Sequence, residues 1–123
     1  MNKIYLSWIE FGLMIKDLTN RIKKSRFKFD GVYGIPRGGI ILAICLSHSL
    51  KLPLLLDNRT PETLIVDDIS DTGETLKFYK DSKKTACLYK TLWTKVVPDW
   101  NCEMKLNKND WIVFPWEYQD EQN

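Results

Sequence analysis

The segment Leu64-Ile65-Val66-Asp67-Asp68-Ile69-Ser70-Asp71-Thr72-Gly73-Glu74-Thr75 constrains this chain more than any other. A short run of branched aliphatic residues is the mark of a buried parallel strand, and here it runs straight into two adjacent carboxylates. Successive side chains of a strand point to opposite faces, so Asp67 and Asp68 cannot do identical jobs. One can project toward a ligand while the other sets the loop or a metal. Thr72-Gly73-Glu74-Thr75 then opens a helix expected over Glu74 to Lys80. Free amides at a helix start, two hydroxyls and a glycine that permits close approach make a phosphate cradle. Carboxylates suited to ribose hydroxyls, beside amides suited to a phosphate, describe a receptor for a ribose 5-phosphate. A solvated acidic turn and a calcium loop are the competing readings, and the strand before and helix after weigh against both.

The rest of the chain supplies a frame for this segment. Ser7 and Glu10 have the spacing of a capping box, and Phe11, Met14, Ile15, Leu18 and Ile22 form one apolar face, which predicts a helix from Trp8 to Lys24. A short strand is expected at Gly31 to Ile35, broken by Pro36-Arg37-Gly38-Gly39 and followed by an apolar helix to Leu50. Further strands are expected at Pro53–Leu56, Leu64–Val66, Ala86–Tyr89, Val96–Val97 and Trp111–Phe114. Strand, loop and helix alternate, which predicts an α/β fold around a mostly parallel central sheet flanked by helices. In such sheets ligands lie at the carboxyl ends of the strands, where both glycine-bearing loops fall.

A length of 123 residues suits one domain. A net charge of +2 is too small to argue for nucleic acid. Lys16 to Lys28 carries six basic residues against one acid, which on a surface helix reads most simply as a solvated face. Cys45, Cys87 and Cys102 are odd in number and lack CxxC spacing, so reduced thiols in the cytoplasm are expected rather than a disulfide framework or a zinc site. The longest apolar run, Ile40 to Leu46, falls far short of the ~20 residues that a membrane span requires. The tail from Tyr118 to Asn123 is polar enough for disorder.

Strand, two acids, two variable positions and then Asp-Thr-Gly-x-Thr resembles the phosphoribosyl-pyrophosphate signature of the type I phosphoribosyltransferase family. Gly34-Ile35-Pro36-Arg37-Gly38-Gly39 is similar to the pyrophosphate loop of its bacterial xanthine-guanine branch. Trp111-Ile112-Val113-Phe114-Pro115-Trp116-Glu117 is similar to that branch's base-binding strand. With the start at Ile4 to Trp8, the likeness covers most of the chain. The resemblance implies a single Rossmann-like domain and Mg²⁺-dependent transfer of a phosphoribosyl group from phosphoribosyl pyrophosphate to a 6-oxopurine. It also implies a homo-oligomer.

By the same resemblance Asp67 and Asp68 hold the ribose hydroxyls, directly or through Mg²⁺, with Thr72, Gly73, Glu74 and Thr75 on the 5-phosphate. Asp71 lies near purine N7 as general base or as a stabiliser of its proton; capping the next helix is its bland alternative, and the two can coexist. Arg37, Gly38 and Gly39 bind the leaving pyrophosphate, with a non-proline cis peptide implied at Pro36–Arg37, where a plain glycine turn is the alternative. Lys90 reaches the 6-oxo group, Trp111 stacks on the base and Ile112 meets it through its backbone. A surface lysine and a core aromatic are the rival readings for these positions.

One departure stands out. Members of the family insert a long mobile hood before the signature strand, and here only Asp57-Asn58-Arg59-Thr60-Pro61-Glu62-Thr63 joins the two strands. Seven residues with a proline cannot form a two-stranded flap. Either Arg59 reaches the pyrophosphate from the short link, or a partner subunit closes the site, or the site binds with little turnover because water competes for the reacting carbon. A nucleotide-binding regulatory module is therefore the expectation that competes with an enzyme, and a different acceptor base is a third.

Overall fold

The capping box forms as its spacing predicts: the Ser7 hydroxyl accepts from the Glu10 amide and the Glu10 carboxylate from the Ser7 amide, both at 3.0 Å. In the computed structural model, which describes residues 1–118, this box opens helix α1, Trp8–Ser25. Before it lies strand β1, Asn2–Tyr5; after it come β2, Val32–Gly34, helix α2, Gly39–Leu50, and β3, Leu54–Leu55. Then follow β4, Leu64–Ser70, the short helix α3, Glu74–Lys77, β5, Thr85–Thr91, β6, Trp100–Lys105, and β7, Asp110–Val113. A 3-10 turn over Pro115–Glu117 ends the described chain, and most of the polar tail lies outside the described residues.

Five strands form one sheet in the order β3-β2-β4-β5-β6, every neighbouring pair parallel. The alternation of β4 and β5 divides the core between the two faces. Leu64, Val66, Ala86 and Leu88 join α1 and α2 in the larger cluster, built on Leu18, Leu42 and Leu46. Ile65 and Cys87 point the other way, to a smaller cluster with Ile35 and Leu76. By the same alternation Asp67 follows Ile65 and Asp68 follows Val66. Burial pushes the Cys87 and Cys102 thiols above their ordinary range, so both act as small core groups.

Several elements differ from the sequence expectation. No strand forms at Val96–Val97: the Val96 carbonyl accepts from the hydroxyls of Ser70 and Thr94 rather than from a ladder. The edge strand is β6, whose Trp100 and Cys102 pack on the larger cluster. Its apolar positions 100, 102 and 104 alternate with polar ones, a period-2 signal present in the sequence. Helix α3 stops at Lys77 rather than Lys80 because Phe78 and Tyr79 bond back to Thr75 and Leu76, three residues away, in place of α-helical pairing. Strand β4 runs on through Ser70, so the acidic pair lies within the ladder and not in the turn. The Trp111 strand pairs in parallel with β1, an element the sequence reading left unassigned, and the two form a separate ribbon.

No helix among the described residues is long and apolar enough to cross a membrane. Leu88 is fully buried in the middle of β5, whereas Leu92 just beyond it is 64% exposed. Leu88→Ala is expected to cost about 3 kcal/mol in urea denaturation, while Leu92→Ala stays within about 0.5 kcal/mol.

Candidate active site

The site begins at the carboxyl end of β4. Asp67 is 7% exposed and Asp68 half-buried, and among the described residues neither is ion-paired to a Lys or Arg. Asp67 Oδ1 accepts from the Asp68 amide at 2.9 Å, and Asp68 Oδ1 from the Ile69 amide at 2.7 Å. These bonds stabilise the ionised forms but do not outweigh desolvation. Burial first, then the neighbouring charge of Asp68, pushes Asp67 up to about 8. Burial also raises Asp68, with Glu117 adding to the rise and its hydrogen bonds opposing it.

Asp68 faces the loop before α2. A Cβ on Gly38 would lie 2.2 Å from Asp68 Oδ2, and one on Gly39 would lie 2.4 Å from the Val66 carbonyl oxygen. Only glycine lets this loop seat against the strand end. The Pro36–Arg37 peptide is cis, as the resemblance implied. Arg37 is exposed and lines a hollow of about 810 Å³ with Gly38, Asp68, Trp116, Glu117 and Tyr118. One Glu117 carboxylate oxygen already accepts from the Phe114 amide at 2.9 Å. The Tyr118 hydroxyl donates to the Leu6 carbonyl, which ties this wall back to the start of α1.

A smaller hollow of about 220 Å³ opens on the other side of Asp68, lined by Asp67 through Gly73 with Thr75 and Leu76. Of the residues that the sequence reading assigned to a phosphate cradle, Thr72, Gly73 and Thr75 line it and Glu74 does not, and Gly73 at φ 94 turns the chain into α3. An L side chain there would be strained and would meet the Val96 amide nitrogen at 2.7 Å. Asp68 borders both hollows, so the two glycine loops share one cavity edge.

The segment after β5 clasps this cradle. The Thr91 hydroxyl donates to the Asp71 carbonyl at 2.5 Å, and the Lys95 amide to the Thr72 carbonyl at 3.1 Å. Ser70 Oγ shares a 2.9 Å hydrogen bond with Thr94 Oγ1. Trp93 Nε1 donates to Asp71 Oδ1 at 3.2 Å. Lys90 stands opposite Ser70 in the adjacent strand, at the same edge as the cradle. Trp111 and Ile112 border neither hollow: Trp111 is exposed on the β1–β7 ribbon, and the Ile112 side chain is in the larger core cluster. Their segment approaches β5 through Phe114, whose ring lies 6.0 Å from that of Tyr89. Trp116 and Tyr118 line the larger hollow and Trp93 bonds Asp71 of the smaller one; the sequence reading gave none of the three a role, since no spacing in the sequence tells where the segments beyond β5 and β7 fold back.

The short link carries no flap strand. Thr60 and Thr63 hydroxyls donate to Asp30 at 2.5 and 2.7 Å, and those bonds hold the Asp30 carboxyl below its usual value. Arg59 lies 4.5 Å over the Tyr79 ring and 3.4 Å from Asp81, and it lines neither hollow.

The donor chemistry suits Mg²⁺ shared with a ligand rather than a self-sufficient metal centre. No group of three or more Asp, Glu, His or Cys capable of holding a cation forms among the described residues. Magnesium is commonly held by one or two carboxylates plus substrate phosphates and water, and one buried and one half-buried carboxylate, neither ion-paired to a Lys or Arg among the described residues, match that demand.

No family model matches the chain. A purine phosphoribosyltransferase from Pyrococcus horikoshii OT3 superposes with a TM-score of 0.80 at 33% identity, covering 98% of this chain and 97% of that one. The xanthine-guanine-hypoxanthine phosphoribosyltransferase of Helicobacter pylori superposes with a TM-score of 0.76 at 21% identity, covering 94% of each chain. Among curated sequences, the xanthine-guanine phosphoribosyltransferase of Idiomarina loihiensis is 24% identical, covering 94% of this chain and 87% of the relative.

Two variants test the site. Gly38→Ala is expected to force Asp68 and this loop apart and to cost about 1 kcal/mol or more in urea denaturation. For Asp67 the folded value of about 8 lies above the ~3.9 of an unfolded carboxyl, so it costs the ligand-free fold increasing stability as pH rises from about 4 to about 8. Asp67→Asn, which keeps the Oδ1 acceptor, is expected to raise Tm by roughly 4 °C at pH 8 and by less at pH 5. An equal gain at both pH values would remove the buried charge as its cause.

Proposed function

The chain belongs to the type I phosphoribosyltransferase family, on the branch of the bacterial xanthine-guanine enzymes, and from that premise we propose that it transfers the 5-phosphoribosyl group of phosphoribosyl pyrophosphate to a 6-oxopurine. The observation that carries the reading is the shared edge at Asp68. There the hollow assigned to a ribose phosphate and the loop assigned to a pyrophosphate meet on one carboxylate.

In the proposed reaction N9 of guanine, xanthine or hypoxanthine forms a bond to the ribose C1, and the C1–oxygen bond to pyrophosphate breaks with its electron pair leaving on the pyrophosphate. The purine proton passes to, or is stabilised by, Asp71. Thr72, Gly73, Glu74 and Thr75 bind the 5-phosphate. Arg37, Gly38 and Gly39 stabilise the departing anion, which supplies much of the rate in a reaction through an oxocarbenium-like state. Asp67 and Asp68 orient the ribose hydroxyls and would hold Mg²⁺, which would supply positive charge for the pyrophosphate. Lys90 selects the 6-oxo group, with Trp111 and Ile112 as further base contacts.

Trp111 and Ile112 require a rearrangement of the β7 end to take these roles, since neither borders a hollow in the ligand-free chain. The exposed apolar side chains of Ile40, Ile44 and Leu56 support a homo-oligomer, and three free cysteines suit the cytoplasm.

The pinned link over Asp57 to Thr63 favours a second reading, a phosphoribosyl-pyrophosphate or nucleotide-binding module with little turnover. Incubation with phosphoribosyl pyrophosphate, Mg²⁺ and a panel of purine and pyrimidine bases separates the two. Nucleotide and pyrophosphate formation with a 6-oxopurine is expected, and binding without product from any base overturns transfer. Asp71→Asn is expected to lower turnover by about a hundredfold or more, with phosphoribosyl-pyrophosphate affinity kept.

A further inference from the structure

The geometry points to Trp93 as a positioning residue that fixes the carboxylate of Asp71 for the purine, an inference that rests on the transfer reading above. Asp71 is exposed at the mouth of the cradle, on a turn with no strand ladder of its own. A carboxylate so placed rotates freely unless something holds it. The indole Nε1 of Trp93 donates to Asp71 Oδ1 at 3.2 Å. An indole N–H is a donor only, so it binds a carboxylate oxygen and cannot accept a proton in its place. One oxygen is thereby committed to the protein, and Oδ2 is left to meet the proton on the base.

The indole is itself held. Lys105 and Lys108 place their ammonium groups 5.7 and 5.4 Å from the Trp93 ring, within the range of cation–π attraction. Thr91 and Lys95, two residues to either side, bond the backbone of Asp71 and Thr72. The Leu92 amide bonds the Lys105 carbonyl at 3.0 Å, which ties the loop to β6. Main chain and side chain of Asp71 are thus fixed by one seven-residue segment, Thr91–Val97, that has no regular structure beyond its first residue.

Trp93→Phe keeps an aromatic ring for the two lysines and deletes the N–H donor together with the pyrrole part of the indole. It is expected to lower kcat with the preferred 6-oxopurine about tenfold, with the KM for phosphoribosyl pyrophosphate and the melting temperature unchanged. In an Asp71→Asn background the same change is expected to cause no further loss, because the two residues act as one unit. A Trp93→Phe chain as active as the wild type, or a loss that adds fully to that of Asp71→Asn, overturns the role of Trp93 alone. A wild-type chain that transfers to no base overturns the transfer reading and this role with it.

Discussion

Two carboxylates sit adjacent, largely out of water and, among the described residues, without a basic partner, toward the end of β4, and much of the molecule is arranged around that unfavourable placement. The strand alternation sends them to opposite faces, so each meets a different loop. Asp68 leans on Gly38 at a distance no Cβ permits, and Asp67 turns toward the side of Ile65 and Cys87. Backbone amides on the next residue compensate each carboxylate only in part. What remains is an electrostatic deficit that a cation or a ring of ligand hydroxyls can fill. The ligand-free fold therefore holds a local energy cost whose relief is tied to binding.

The sheet distributes its support unevenly. Helices α1 and α2 cover one face with a continuous aliphatic cluster, while the other face has a one-turn helix and a small cluster of Ile35, Ile65, Leu76 and Cys87. Tyr33 and Tyr79, with rings 5.9 Å apart and Arg59 laid over the second, extend that thin face toward the link. The heavy face positions the strand ends, and the thin face leaves the cradle open. A site of this kind is built on the rigid side of the molecule and faces outward from its lighter side.

Much of this was legible before any coordinates. Leu64–Val66 followed by Asp67-Asp68 gave both the strand and the opposed carboxylates, because a period of two leaves no freedom once the strand is assigned. Ser7 and Glu10 marked the start of α1 through a local motif that needs no tertiary partner. Apart from the end of α3, set by local bonds, and β6, whose alternation is present in the sequence, the failures were non-local. Val96-Val97 has strand-forming residues, yet its backbone groups are taken by Ser70, Thr94 and the close approach of Gly73. The β1–β7 ribbon joins residues more than a hundred positions apart, and nothing within Asn2–Tyr5 announces its partner. Trp93 reached Asp71 through a loop whose path depends on both β5 and β6, so its role could be read only from three dimensions.

The pinned link has a kinetic meaning. Thr60 and Thr63 moor it to Asp30, and Arg59 is spent on Tyr79 and Asp81, so the described chain offers no closing segment whose opening would pace a catalytic cycle. In lidded enzymes the slow step is often the release of product from behind the closed segment. With the link held in this way, exchange between solution and site would be set by diffusion and by the lifetime of the polar contacts themselves. In the proposed transfer, selectivity then comes from how long the right base stays against Lys90 and Asp71, rather than from which base can trigger a closure.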